Sequence, residues 1–375
     1  MWNNMPFALS TGLSPTSGRG EEFNSPLPQG GRGVWGEGAV QRKLRCAVKL
    51  AAAVCALLAL SVQAQEPTEA QKQLAAGKFT IISPFPPGGP VDTLARIMAE
   101  GLTKRYGQAA VVDNAPGAAG NIGMDKVKRA KPDGHTLLVI PAGNLTINPT
   151  LMPKFPFSIE KDFVPVTMLA KAPNVLVASL KSGITNTAQL VQQAKAKPDS
   201  LSYASPGVGS GLHLAGELFK QSAGIDVLHV AYKGTAPALN DVLAGVVPLM
   251  FSNLPAVLPH MASEGRAGKL TVLALPQAER SAAAPDIPTL AEQGIGGVDV
   301  TSWYGLLAPA GTPPDVVEQL ARDAADFLAD AAMQERLKVQ GMTQNTMTPK
   351  AFEQYIKDET ATWAAVLRQH DIQAE

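Results

Sequence analysis

The chain has 375 residues, 45% hydrophobic and 17% charged, with 32 Lys/Arg against 32 Asp/Glu. Length and apolar content suit one or two α/β domains with a sizeable core. A formal net charge of zero offers nucleic acid no electrostatic footprint, so nucleic acid is not expected as a partner.

The first 64 residues differ in kind from the rest. Residues 1–40 are rich in Gly, Pro, Ser and Asn and carry no periodic pattern. Residues 42–49 are basic, 50–62 form an apolar run, and Val62-Gln63-Ala64 follows. That order is a secretory signal peptide, with cleavage expected after Ala64. Its apolar core is too short for a comfortable membrane span. Because a signal sequence normally begins near the initiator, translation is expected to start further in, at the codon for Val40 or Leu44. Residues 1–64 carry 6 Lys/Arg and 3 Asp/Glu, so the remainder has 26 and 29, a net charge of −3. Both cysteines, Cys46 and Cys55, fall in the removed part. The exported chain therefore needs no disulfide, which a core of this size does not require.

Residues 65–78 are polar and read as a flexible lead-in. Strand then alternates with helix. Strands are expected at 79–82, 109–113, 136–140, 163–169, 174–178, 201–204, 227–232, 247–252, 270–275 and 303–308. Helices are expected at 90–102, 118–129, 185–196, 210–223, 237–243, 314–330 and 349–369. The stretch PAGNLTINP at 141–149 has no periodicity and reads as a loop. Alternation of this kind implies mainly parallel sheets with helices on both faces.

Two segments share one design of strand, glycine-rich loop and helix N-terminus: 79–102 and 201–223. In the first, Pro84 to Gly89 forbid regular structure, Pro90 suits the first helical position, and Asp92 complements the helix dipole. Gly88 and Gly89 let a ligand approach the main chain closely. The first loop carries no Walker or G-x-G-x-x-G pattern, so a carboxylate or phosphate fits better than a nucleotide. Two such loops in separate halves point to a ligand held between two lobes, at the carboxyl ends of the strands.

Other chemistry finds little footing. Ser210 and His213 are three apart on a helix, but Ser210 lacks the flanking glycines of a nucleophile elbow. A capping serine beside a packing histidine is the expected reading, with Ser205 and Ser210 as hydroxyl donors to a ligand. The five histidines are dispersed, so no metal is expected. Asp241 and Trp303 leave a ligand role and a structural role both open, a buried hinge position being the plainer reading of Trp303.

PFPPGGPVDTLAR, NAPGAAGNIG, KPDGHTLL, YASPGVGSGLHLAGELF, HVAYKGTAPALNDVLAGVVPLMF and the run from PTLAEQG to WYGLLAPAGTP resemble the Bug-type solute receptors. These are the substrate-binding components of tripartite tricarboxylate transporters, and the resemblance spans residues 79–370. It departs at Ala119, where glycine is common, at His135, where tyrosine is frequent, and at 1–40, which has no counterpart. It implies a periplasmic Venus flytrap of two α/β lobes joined by crossing strands: 79–172 and 301–375 in the first, 173–300 in the second. It implies a non-enzymatic, cofactor-free monomer that closes on a small carboxylate-bearing solute. A two-subunit membrane permease would take the solute, or a sensor kinase would read it. The implied ligand residues are Pro87, Gly88 and Gly89 in one lobe and Ser205, Gly207, Gly209 and Ser210 in the other. Asn144 and the 114–120 turn would line the rest.

Overall fold

A computed structural model describes residues 66–261, 268–281 and 283–373, so the expected leader, signal peptide and cleavage point lie outside the described residues. The strands are β1 (Phe79–Ser83), β2 (Ala110–Asn114), β3 (Thr136–Pro141), β4 (Phe163–Ala172), β5 (Asn174–Ser179), β6 (Ser202–Ser205), β7 (Leu228–Ala231), β8 (Leu249–Asn253), β9 (Leu270–Ala274), β10 (Ser302–Pro309) and β11 (Thr343–Gln344). The principal helices are α1 (Glu69–Ala75), α2 (Pro90–Tyr106), α3 (Asn121–Lys128), α4 (Ala142–Thr146), α5 (Thr187–Ala196), α6 (Gly211–Ala223), α7 (Thr235–Ala244), α8 (Pro314–Ala329), α9 (Ala331–Val339) and α10 (Pro349–Gln369).

These elements make two α/β lobes, each built on one sheet. The first has the order β11-β4-β10-β3-β1-β2, the second β7-β6-β8-β5-β9. Both are mixed, which corrects the expectation of mainly parallel sheets. The parallel pairs are β1 with β2 and β3, and β6 with β7 and β8. Antiparallel pairing enters with the strands at the crossings. β10 runs against β3 and β4, and β5 runs against β8 and β9. A strand arriving from the other lobe needs no helical crossover, so its direction is free.

Local chemistry sets the helix ends. Pro90 opens α2, and Gly107 closes it in the left-handed conformation at φ 66°. Ser210 caps α6 by accepting from the His213 N–H, and Gly224 ends that helix at φ 61°. Two departures from the sequence reading have a common cause in burial. The expected lead-in contains α1, whose Ala70 and Leu74 pack into the first lobe's core and whose Thr68 and Gln71 form a capping box. The expected loop at 141–149 contains α4 and begins a second short helix, Asn148–Leu151. Residues 142–148 are buried on every side, which erases the polar face that periodicity needs. Helix α9 and strand β11 also went unread.

The first sheet is covered by α1, α2 and α8 on one face and by α3, α4 and the start of α10 on the other. The second is covered by α5 and α6 on one face and α7 on the other. Helix α10 belongs to both lobes. Its Phe352 and Ile356 enter the first lobe's core, whereas Trp363 and Leu367 enter the second's. Where β4 passes into β5 and the chain returns into β10, a polar cluster ties the crossings together. Asn253 Nδ2 donates to Asn174 Oδ1 and to Ser302 Oγ, Ser302 donates to Asn174 Oδ1, and Asn174 donates to Val300 O, each at 2.8 Å.

Candidate functional site: a helix-ringed cavity between the lobes

The two glycine loops face each other across a cavity that also takes lining from α4, the polar crossing cluster and α10. The space open to the centres of water-sized spheres is about 80 Å³. One water needs about 10–15 Å³ on that measure, so a small organic molecule fits and a folded segment does not. At the mouth, Phe85, Pro86 and Gly89 face Gly234 and Thr235; at the crossing end stand Asn253, Ser302, Glu359 and Trp363.

Three helices begin at this space. α2, α6 and α7 have 17, 13 and 10 residues, and the residues at their starts line the cavity. Their partial positive ends converge there. In α2 that field is already answered. Asp92 accepts from Gly88 N at 3.1 Å, from Asn114 Nδ2 at 3.0 Å, and from Arg96 Nε and Nη2 at 3.0 Å. Burial pushes the Asp92 carboxyl up, but the hydrogen bonds from Arg96, Asn114 and Gly88 outweigh it and hold the pKa below the ordinary value. The first N–H groups of α6 and α7, at Gly211, Leu212 and Thr235, have no partner among the described residues. Among the described lining residues there is no Lys, Arg or His. An anion there would be held by backbone dipoles rather than by a counter-ion.

Of the residues the sequence singled out, Gly89, Asn144, Gly207, Gly209 and Ser210 line the cavity. Asn144 is buried, and its Nδ2 donates to Ala119 O at 2.7 Å, fastening the 114–120 turn to the wall. Ser210 Oγ is occupied by its capping bond and donates to Gly207 O at 2.8 Å, so it shapes the loop. Pro87, Gly88 and Ser205 fall outside the lining. Pro87 and Gly88 are exposed, because the Gly88 N–H turns back onto Asp92. Phe85 and Pro86 take their place. Ser205 is fully buried behind its loop, where its Oγ accepts from Gly207 N at 3.2 Å and pairs with His229 Nε2 at 2.7 Å.

His213 supports the same loop from below. It is 2% exposed, accepts from Gly209 N through Nδ1 at 3.4 Å, and stacks on His229 with ring centroids 4.3 Å apart. Burial drives its pKa down to about 4; Glu217 opposes that shift and Lys220 adds to it. Asp241 has a structural partner, the Tyr232 hydroxyl at 2.6 Å. Trp303 is 1% exposed, lies edge-on to Phe352, and donates to both oxygens of Glu359 at 2.9 and 2.8 Å. It is a core residue and lies outside the lining.

Sequence reading missed Tyr304, Thr235, Glu359 and Trp363. Tyr304 is 2% exposed and lines the cavity, and its hydroxyl has no partner among the described residues. A buried orphan hydroxyl costs about 1–3 kcal/mol, which a bound acceptor would recover. Strand alternation could have separated Tyr304 from the core-facing Trp303, but nothing local marks which of them meets a ligand.

Residues 94–372 match the family described as the tripartite tricarboxylate transporter family receptor. Protein BugT of Bordetella pertussis is 38% identical over 295 residues, covering 78% of this chain and 89% of that protein. An R. palustris protein solved with adipate is 33% identical with a TM-score of 0.75, covering 79% of this chain and 98% of that one. MatC from Rhodopseudomonas palustris, solved with bound malate, is 30% identical with a TM-score of 0.72, covering 77% and 98%. The chain belongs to the tripartite tricarboxylate transporter receptor family.

Proposed function

We propose that this protein is a periplasmic solute receptor that closes on a small organic acid and hands it to a two-subunit membrane permease. The observation that carries the reading is the convergence of unpartnered N–H groups from α6 and α7 on a cavity without basic side chains. A carboxylate placed there accepts from Gly211, Leu212 and Thr235, with the Tyr304 hydroxyl as a further donor. Adipate and malate in the structural relatives are carboxylates of suitable size. The moving bodies we assign are 79–172 with 301–375, and 173–300, turning about the Asn174, Asn253 and Ser302 cluster. Closure removes water and strengthens each charge-assisted bond, with no bond made or broken. The receptor works as a monomer, free to open and close.

A thermal-shift screen of the purified protein against mono-, di- and tricarboxylates tests this reading. A solute that binds only the folded state raises the melting temperature with concentration. The expected hit disappears in Gly89→Leu, because a side chain at Gly89 meets open space and fills the cavity without backbone strain. Tyr304→Phe should weaken it by about tenfold, the worth of one hydrogen bond to a charged group. If no acid shifts the refolded, ligand-stripped protein, the carboxylate reading fails.

A further inference from the structure

The crossing end of the cavity has a chemistry opposite to that of its helix-ringed wall. Glu359 is the only carboxylate among the described lining residues. It lies on α10, and Trp363 follows one helical turn later on the same face, also in the lining. Trp303 Nε1 is shared between the two Glu359 oxygens, and the nearby Thr146 side chain also favours the ionised carboxyl. An ionised carboxylate has about four acceptor sites, so capacity is left over. The ammonium of Lys171 acts on it from outside the lining, poised over the Tyr355 ring at 5.6 Å. Burial nonetheless pushes the Glu359 carboxyl above its ordinary value, against the opposing effects of Trp303, Thr146 and Lys171. Its charge is under-compensated within the protein.

A carboxylate beside an indole ring attracts a cation by charge and by the ring quadrupole. We propose that Glu359 and Trp363 form a cation subsite, so that the solute is a zwitterion, its carboxylate at the α6 and α7 N-termini and its ammonium on α10. The inference rests on the carboxylate reading above and specifies its solute class. A second carboxylate at this end would face Glu359 with no basic lining residue to offset it.

Calorimetric titration of the purified protein at pH 7.5 with three matched series is the test: γ-aminobutyrate and ε-aminocaproate, succinate and adipate, butyrate and caproate. The amino acids should bind at least about tenfold more tightly than the diacids of equal carbon number, the scale of one desolvated cation–π contact with its paired charge. Glu359→Gln keeps an acceptor for Trp303 and should close most of that gap by weakening the amino acids and strengthening the diacids. Diacids binding as tightly as amino acids in the native protein would overturn the zwitterion while leaving the carboxylate grip standing. A gap unchanged in Glu359→Gln would overturn the subsite. Absence of binding by all three series, the simple monoacids included, would overturn both readings. The native ranking alone decides if the variant misfolds.

Discussion

At the scale of single residues, the second glycine loop depends on a histidine that must stay neutral. Its pKa of about 4 in the fold lies below the ordinary 6.5, so folding favours the unprotonated ring. That contribution is complete above pH 6.5 and is lost as pH falls toward 4. The difference is on the order of 3 kcal/mol. Protonation also removes the Nδ1 acceptor used by Gly209 N. Denaturant titrations across this window should show stability falling with pH, and His213→Gln should flatten the slope. An unchanged slope would show that His213 does not carry the effect. The residues of this loop are legible in sequence because glycines and capping serines act within three or four positions. Tyr304 and Glu359 are not, because their meaning depends on which distant segment ends beside them. Pro87 and Gly88 lie outside the lining for the same reason: Asp92, held by Asn114, takes the Gly88 N–H, and no local pattern shows it.

At the scale of elements, periodicity recovered the long helices and most strands, since each keeps one face in water. It failed at α4, which is buried all round, and it could not orient the crossing strands. Helix α10 is the element on which both lobes converge. Leu367 is 4% exposed in the second core, so Leu367→Ala should cost about 2–5 kcal/mol. Because the same helix also fills the first core, calorimetry should show one transition moving to lower temperature. Two separated transitions would show that α10 does not couple the lobes.

At the scale of the whole molecule, two of the close approaches between the lobes are at glycines that line the cavity. A Cβ on Gly234 would lie 3.0 Å from Pro86 Cδ, and one on Gly143 would lie 2.5 Å from Gly209 O. Gly143→Ala therefore opposes closure while leaving each lobe's core intact. Solute should contract the native protein in X-ray solution scattering but not the variant, and affinity should fall by about tenfold, the penalty of one forced contact. Equal contraction in both would place the closing contact elsewhere.

Helix α10 is also the last element in chain order among the described residues. A chain stopped short of it still possesses both sheets, but it lacks the Glu359 wall and the segment that fills the two cores together. Such a product would expose the core surfaces that Phe352 and Ile356 cover in one lobe and Trp363 and Leu367 cover in the other, and exposed apolar surface is what proteases and chaperones recognise. Removing α10 would thus take away a cavity wall and a piece of each core at once.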